Sequence, residues 1–190
     1  MAKKKKVVSD VTITQAPVNI IGNVNIKKLD KHGKITKTIN VKNTATFNLL
    51  QGLGYHLLGN WQLGKNTYPK YLGLGYNPGT EVATTPIMNS LYNELNVNRF
   101  NLNSSNINLN SDLFSVSILY TTLIPFDSIS NQEYGFNELG LFSTFTDDSL
   151  LARVYWDVKD AVTLKIGETI LVEWEIILKS VTSKISEVNN

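Results

Sequence analysis

Three closely spaced carboxylate pairs are the first candidates for chemistry in this sequence. They are Asp147 with Asp148, Asp157 with Asp160, and Glu173 with Glu175. A glycosidase would need two such groups facing each other across a cleft. The first pair falls in a turn between predicted strands, and the third alternates with Trp174 on the outward face of a strand. Such positions are typical of solvated surface, so no catalytic pair is predicted.

Other catalytic and metal sites find equally little support. The chain has no cysteine and two histidines, His32 and His56, which excludes disulfides and thiolate ligands and leaves no Ser-His-Asp arrangement with local support. The glycine-rich string LGLGYNPGT, which begins at Leu72, lacks the Lys-Ser/Thr ending of a Walker motif and the third glycine of a dinucleotide fingerprint. We therefore expect no catalytic residue, no metal site and no cofactor, and the protein is predicted not to be an enzyme.

The two arginines are more informative, because every other strong base is a lysine. A planar guanidinium is preferred over an ammonium where an ion pair must be held bidentately and partly buried. Each arginine also lies near a predicted strand that carries a glutamate. We therefore expect structural ion pairs among Glu94, Arg99, Glu138 and Arg153. The functional alternative is a clamp for an anionic substrate.

Length and composition favour one soluble domain. A chain of 190 residues can bury a single core, and it contains no run of the roughly 20 apolar residues that cross a membrane. The opening MAKKKK is not followed by the apolar segment of a signal peptide, so secretion by that route is not expected. We expect one domain over residues 18–180, a basic arm over residues 1–17 and a tail over residues 181–190.

Basic residues are concentrated in the first quarter of the chain. Lys3 to Lys6 precede VVSDVTITQA, a β-prone stretch suited to adding a strand to a neighbour's sheet. The predicted docking residues are Lys3, Lys4, Lys5, Lys6, Val7, Val8, Val11 and Ile13. A solvated tail and an ordinary first strand are the alternatives. Nucleic acid is not an expected partner, because the arm lacks interleaved aromatic and arginine residues.

The coarse pattern is strand-rich with one helix. Two alternating strands between Val18 and Val41 surround a tight turn at Gly33, which places His32 at an exposed tip. Apolar residues at helical spacing predict one amphipathic helix over about residues 44–59, packed on the sheet and capped by Asn43 or Thr44. His56 is interpreted as a packing residue beside its apolar face.

The middle of the chain predicts a short helical turn and then strands. Thr85 and Pro86 would begin the turn, within PIMNSLYNEL. In the Asn-rich segment from Val97 to Asn110, apolar residues alternate with asparagines, which indicates two strands that turn at Ser104 to Asn106. The stretch from Tyr134 to Leu178 holds three further β-rich runs and is expected to organise the core.

Five segments together resemble a known family. They are YLGLGYNPGT, NSLYNELNVNR, YGFNELGLFS, LLARVYWDV and GETILVEWEIIL, within a region of roughly Asn40 to Leu178. In this order they are similar to a family of tailed-bacteriophage virion structural proteins, which includes capsid decoration, head-fibre, neck and tail accessory proteins. The sequence departs from the family pattern in the Asn-Val-Asn before Arg99, in Tyr76-Asn77-Pro78 and in the basic arm.

The resemblance implies a mainly β protein, an antiparallel, jelly-roll-like β-sandwich with one helix on its side. It implies a non-enzymatic virion protein, made in the bacterial cytoplasm, that docks on the capsid, collar or tail and helps to assemble or stabilise the particle. The expected partners are other virion proteins and further copies of the chain, with no membrane. The alternative is a module that binds a host surface or glycan through exposed aromatic residues, namely Trp61, Tyr68, Tyr71 or Tyr76.

Overall fold

Antiparallel strands and one α-helix make up most of the part of the chain that the computed structural model describes, namely residues 18–57, 59, 68–79, 90–95, 98–110, 115–125, 135–146 and 149–180. The docking arm lies outside these residues. The elements in chain order are β1 (Val18–Leu29), β2 (Ile35–Ala45), α1 (Phe47–Leu57), β3 (Tyr71–Gly75), β4 (Phe100–Asn101), β5 (Ser104–Asn110), β6 (Ser115–Pro125), β7 (Glu138–Phe142), β8 (Leu150–Tyr155) and β9 (Thr169–Ser180).

The hairpin between β1 and β2 follows directly from its turn residues. Gly33 has φ 78°, a left-handed conformation that residues with a side chain rarely adopt. The Asp30 carboxylate accepts hydrogen bonds from the backbone N–H groups of Lys34 (2.9 Å) and His32 (2.8 Å). These bonds hold the pKa of the Asp30 carboxyl below its ordinary value. His32 is exposed at the tip of this turn, as its position in the sequence predicted.

The strands are hydrogen-bonded in the order β4-β3-β7-β8-β2-β1-β9-β6-β5, and every neighbouring pair is antiparallel. We call β2, β1, β9, β6 and β5 the larger sheet, and β4, β3, β7 and β8 the smaller sheet. Only the end of β2, at Thr44 and Ala45, pairs with β8. At the opposite side, β4 pairs with β3 while β5 pairs with β6. The chain therefore passes from the smaller sheet to the larger sheet through residues 102–103, between β4 and β5.

Side chains from both sheets meet in one core, as the period-2 alternation requires. The larger sheet contributes residues such as Val24, Ile26 and Trp174, and the smaller sheet contributes Leu74 and Leu139. Between the core residues of β9, Glu173 and Glu175 point outward. The stretch from Tyr134 to Leu178 thus supplies strands to both sheets, although Tyr134 itself lies outside the described residues.

The helix is shorter than the sequence predicted. It spans Phe47–Leu57, and the expected cap at Asn43 or Thr44 is wrong because β2 continues to Ala45. Thr46 directly precedes the helix and is fully buried. Its hydroxyl donates to the backbone oxygens of Leu150 (2.7 Å) and Leu151 (3.0 Å), so it joins the start of the helix to β8. The side chain of His56 lies outside the described residues.

Two local predictions in the middle of the chain are also wrong. Ser104 to Asn106 were expected to form a turn, but they lie inside β5, and the chain leaves β4 at Leu102 and Asn103. The expected helical turn before Arg99 is absent from residues 90–95, where Glu94 forms an antiparallel bridge with Gly75. The first part of that predicted turn lies outside the described residues.

The prediction of a mainly β, antiparallel fold with one helix is confirmed, with two sheets arranged as in a β-sandwich. The jelly-roll connectivity stays a prediction. Within the described segments, no helix is both long and apolar enough to cross a membrane.

Candidate functional site

The outer face of the smaller sheet carries the four residues that the sequence singled out as ion-pair partners. Glu138 lies on β7 and Arg153 on β8, and neither side chain has any exposed surface. The Arg153 guanidinium donates from Nε to Oε1 of Glu138. The backbone N–H of Tyr92 donates to both oxygens of the same carboxylate, at 3.1 and 3.0 Å. The carboxylate is thus bound from two opposite sides.

Glu94 and Arg99 form the second pair. Arg99 donates from Nε to Oε1 of Glu94 at 2.7 Å and from Nη2 to Oε2 at 2.9 Å, which is the bidentate geometry that only a guanidinium provides. Its Nη1 donates to the backbone oxygen of Thr144 at 3.0 Å, and the guanidinium lies 3.5 Å from the centroid of the Phe142 ring. Arg99 therefore joins Glu94 to the end of β7.

Residues 91–95, here called the edge segment, bring the two pairs together. The segment runs beside β3, with hydrogen bonds of 2.9 Å from Tyr76 N to Asn93 O and from Leu95 N to Leu74 O. It therefore supplies both Glu94 and the backbone N–H of Tyr92. Leu91 packs with Phe142 and Leu150 in a small apolar cluster on the same face.

Three glycines, Gly73, Gly75 and Gly140, form the floor beneath these groups. Gly73 lies opposite Gly140 in the pairing of β3 with β7, and Gly75 lies opposite Glu138. A Cβ added at Gly75 would meet the Glu138 carboxylate at 2.5 Å, and one at Gly140 would meet side chains of Leu150, Leu91 and Phe142 at 2.6–2.8 Å. Because the floor has no side chains, the Glu138 carboxylate can cross Gly75 to reach the edge segment.

The glycine floor explains the string LGLGYNPGT better than a phosphate loop would. Gly73 and Gly75 alternate with Leu72 and Leu74, which are buried on the core side of β3. The same alternation in ELGLF of β7 places Gly140 on the outer face beside them. Glycines at alternate positions of two strands are a sequence signal for such a covered outer face, which was not predicted from the motifs considered above.

A buried amide network extends this layer towards Asn77. The Asn137 side chain accepts a hydrogen bond from Asn77 N at 2.7 Å and donates to the backbone oxygens of Asn77 (2.8 Å) and Trp156 (2.9 Å). Both asparagines are fully buried. Asn137 thus fixes the loop after β3 to the end of β8, a role that the sequence does not predict because one asparagine forms no pattern.

The outer face of the larger sheet holds the predicted Glu173 and Glu175. Lys27 forms an ion pair with Glu173 at 2.8 Å, and Asn25 donates to the same carboxylate at 3.0 Å. Asn23 lies 3.4 Å from Glu175. These polar groups line a shallow depression of about 450 Å³ together with Asn40, Lys42 and Leu119. Glu173 is thus part of a surface network, as expected for outward-facing strand residues.

A second open depression, of about 720 Å³, lies where the loop after β3 meets the end of β8. Its lining includes Tyr155, Pro78, Lys42 and Asp157. Backbone and side-chain hydrogen bonds from Lys159 hold the pKa of the Asp157 carboxyl below its ordinary value, which keeps it anionic. An aromatic, a basic and an acidic residue, Tyr155, Lys42 and Asp157, therefore line the same depression.

The remaining candidate residues are dispersed. Tyr68 is exposed, Tyr71 and Tyr76 are half-buried, and Trp61 lies outside the described residues. Asp147 and Asp148 also lie outside them. No cluster of three or more potential metal-ligating His, Asp or Glu side chains occurs in the described ranges. Comparisons with models of protein families, with curated protein sequences and with solved structures found no match to this chain.

Proposed function

We propose that this protein is a non-enzymatic structural component of a tailed-bacteriophage virion that docks on the capsid, collar or tail and helps to assemble or stabilise the particle. The observation that carries this proposal is the convergence of the family-like segments. Four of them meet on the outer face of the smaller sheet, and the fifth, GETILVEWEIIL, forms the central strand β9 of the larger sheet. The resemblance therefore rests on residues that form strands of both sheets and the contacts on the outer face of the smaller sheet.

Each of those four segments supplies either the glycine floor or members of the two ion pairs on this face. YLGLGYNPGT provides the glycine floor, and NSLYNELNVNR provides Glu94 and Arg99. YGFNELGLFS and LLARVYWDV provide Glu138 and Arg153. Buried ion pairs leave little freedom for alternative packing, because a displaced partner would be a buried, uncompensated charge. A rigid subunit of this kind suits a particle that must keep one geometry.

The partners in this proposal are other virion proteins and further copies of the chain. Val18 begins β1 at the same end of the larger sheet as the end of β9, since Val18 pairs with Ser180. The basic arm therefore joins the domain at this end of the sheet. We propose that residues 1–17 dock the subunit on its neighbour in the virion.

An incorporation experiment tests both parts of the proposal. Host cells infected with a phage that lacks this gene would be supplied with the full-length protein, with a variant that lacks residues 1–16, or with a variant in which Lys3 to Lys6 are alanine. We expect the full-length protein in purified particles and the deletion variant in the soluble lysate. The alanine variant separates the contribution of charge from that of the β-prone stretch.

The outcomes are distinguishable. Absence of the full-length protein from purified particles would refute a virion role altogether. Full incorporation of the deletion variant would refute docking by the arm and leave the virion role standing. A deletion variant that fails to fold is recognised by an unfolding midpoint below that of the full-length protein. We expect equal midpoints, because β1 begins at Val18 and is complete in the deletion variant.

The second candidate function is a glycan-binding module of a phage fibre or baseplate, which the depression around Tyr155 favours. Sugars are recognised by an aromatic ring that stacks on the pyranose face and by charged groups that bind hydroxyls. Tyr155, Lys42 and Asp157 offer this combination. Binding of the isolated protein to host polysaccharide that is lost in Tyr155→Ala, and retained in Tyr68→Ala, would support this function. Binding of Tyr155→Ala that is as strong as binding of the natural protein would exclude this site.

A further inference from the structure

Strand β5 is an edge of the larger sheet with apolar side chains in solvent. It pairs with β6 on one side and stands last in the strand order, so no described strand pairs with its other side. Ile107 is 67% exposed and Leu109 is 79% exposed. Ile107 continues the row of Ile118 and Ile176 across the core-facing side of the sheet. No other described strand covers these two side chains.

This edge lacks the features that normally prevent strand pairing. Exposed edges are usually protected by lysine, proline, a bulge or inward-pointing charge. The sequence of β5, SSNINLN, contains neither proline nor any charged residue. By contrast β2, the outer strand on the other side of the larger sheet, carries Lys37 and Lys42. On the side away from β6, no described strand uses the backbone donors and acceptors of β5, and these groups suit pairing with a further strand.

We propose that β5 pairs in antiparallel orientation with β5 of a second copy of this chain, about a two-fold axis at Asn108. In this register Asn108 lies opposite the partner's Asn108, and Ile107 lies opposite the partner's Leu109. Because side chains alternate between faces, the four exposed apolar side chains of the two copies meet on the core-facing side. The larger sheets of both copies then become one continuous sheet.

A second copy is the occupant that fits the edge best. The alternation of apolar and amide side chains is self-complementary under a two-fold rotation, and two-fold interfaces use one patch on both subunits. A neutral strand meets no like charge when it pairs with itself, and cross-strand apolar pairs stabilise antiparallel strands. The basic arm of another copy has no acidic partner on β5. This inference concerns self-association and does not depend on where in a virion the protein sits.

Disulfide trapping tests the register, since the natural chain has no cysteine. Directly opposite residues of antiparallel strands have Cα atoms about 4.5–5.5 Å apart, within the range of a disulfide. Under mild oxidation, Asn108→Cys should therefore form a disulfide-linked dimer. The matched control is Asn106→Cys, on the same face of the same strand. Its two copies would lie four residues apart along the strands, about 13 Å, and should not be linked.

A mass measurement tests the interface without a covalent link. The full-length protein should have twice the 21.2 kDa mass of one chain in light scattering. Leu109→Lys should lose the dimer, while Leu123→Lys, at a half-exposed leucine beyond the end of β5, should keep it. A monomeric full-length protein, a dimeric Leu109→Lys variant, or equal cross-linking of both cysteine variants would overturn the proposal. A dimer that Leu109→Lys leaves intact and that is lost on deletion of residues 1–16 would assign the interface to the arm instead.

Discussion

Glu138 and Arg153 form a fully buried ion pair across two neighbouring antiparallel strands, fifteen residues apart in the chain. The Tyr92 N–H donates to both oxygens of the same carboxylate from the other side of β3. A charge that is removed from water must be matched by such partners, because its desolvation costs several kcal/mol. The pair therefore fixes the relative positions of β7, β8 and the edge segment.

Replacing Arg153 by Met should strongly destabilise the protein. The substitution leaves the Glu138 carboxylate buried without its cation, which costs about 3–5 kcal/mol and lowers Tm by on the order of 10 °C. Thermal and urea unfolding would measure the change. The variant Lys159→Met breaks an exposed pair with Asp157 and should leave the midpoint nearly unchanged.

A double variant separates the charge from the shape. Glu138→Leu combined with Arg153→Met removes both charges, so it should recover part of the stability that Arg153→Met loses. An unchanged midpoint in Arg153→Met would show that the ion pair does not support the fold.

Two Gly→Ala substitutions, one in the glycine floor and one in α1, should have opposite effects on the stability of the protein. Gly140→Ala places a Cβ within 2.6–2.8 Å of three side chains, so it should destabilise the protein by about 1–3 kcal/mol. Gly54→Ala lies in α1, where a Cβ meets nothing within 4 Å, so it should stabilise by up to about 1 kcal/mol. Chemical denaturation of both variants measures the difference. A Gly140→Ala variant as stable as the natural protein would show that the neighbouring side chains of Leu150, Leu91 and Phe142 can move away from the added Cβ.

Stability at high pH should depend on Tyr120. Burial raises the pKa of Tyr120 to about 12, and the side chain lies opposite Trp174 and Ser105 on neighbouring strands. Between pH 10 and 12 the unfolded chain loses this proton while the folded protein keeps it, so unfolding becomes easier as the pH rises. The natural protein should lose up to about 2–3 kcal/mol more than Tyr120→Phe over this range. Parallel losses in both proteins would contradict the shift.

Local patterns were sufficient to predict the strands, the hairpin and the helix approximately. Gly33, the alternation in β9 and the apolar spacing of α1 each act within a few residues. The helix start was misplaced because Thr46 anchors to β8, a contact about a hundred residues away in sequence. Ser104 to Asn106 were taken for a turn because serine and asparagine favour turns, yet pairing with β6 holds them extended.

The two ion pairs of the site were predictable from the types of their residues. Arginine in a lysine-rich chain indicated buried pairs, and the structure places Glu94 against Arg99 and Glu138 against Arg153. The role of Tyr92 could not be predicted, because its contribution is a backbone N–H that every residue except proline has. Which neighbours approach Gly73 and Gly140 depends on the sheet order, which no local pattern specifies.

The virion role is tested most directly by imaging intact phage particles labelled with an antibody or gold tag on this protein. The proposed function predicts label at one defined position on the particle, on the capsid, collar or tail, with the same copy number from particle to particle. Particles that carry no label, while the protein is present in the lysate of the infected host, would contradict it.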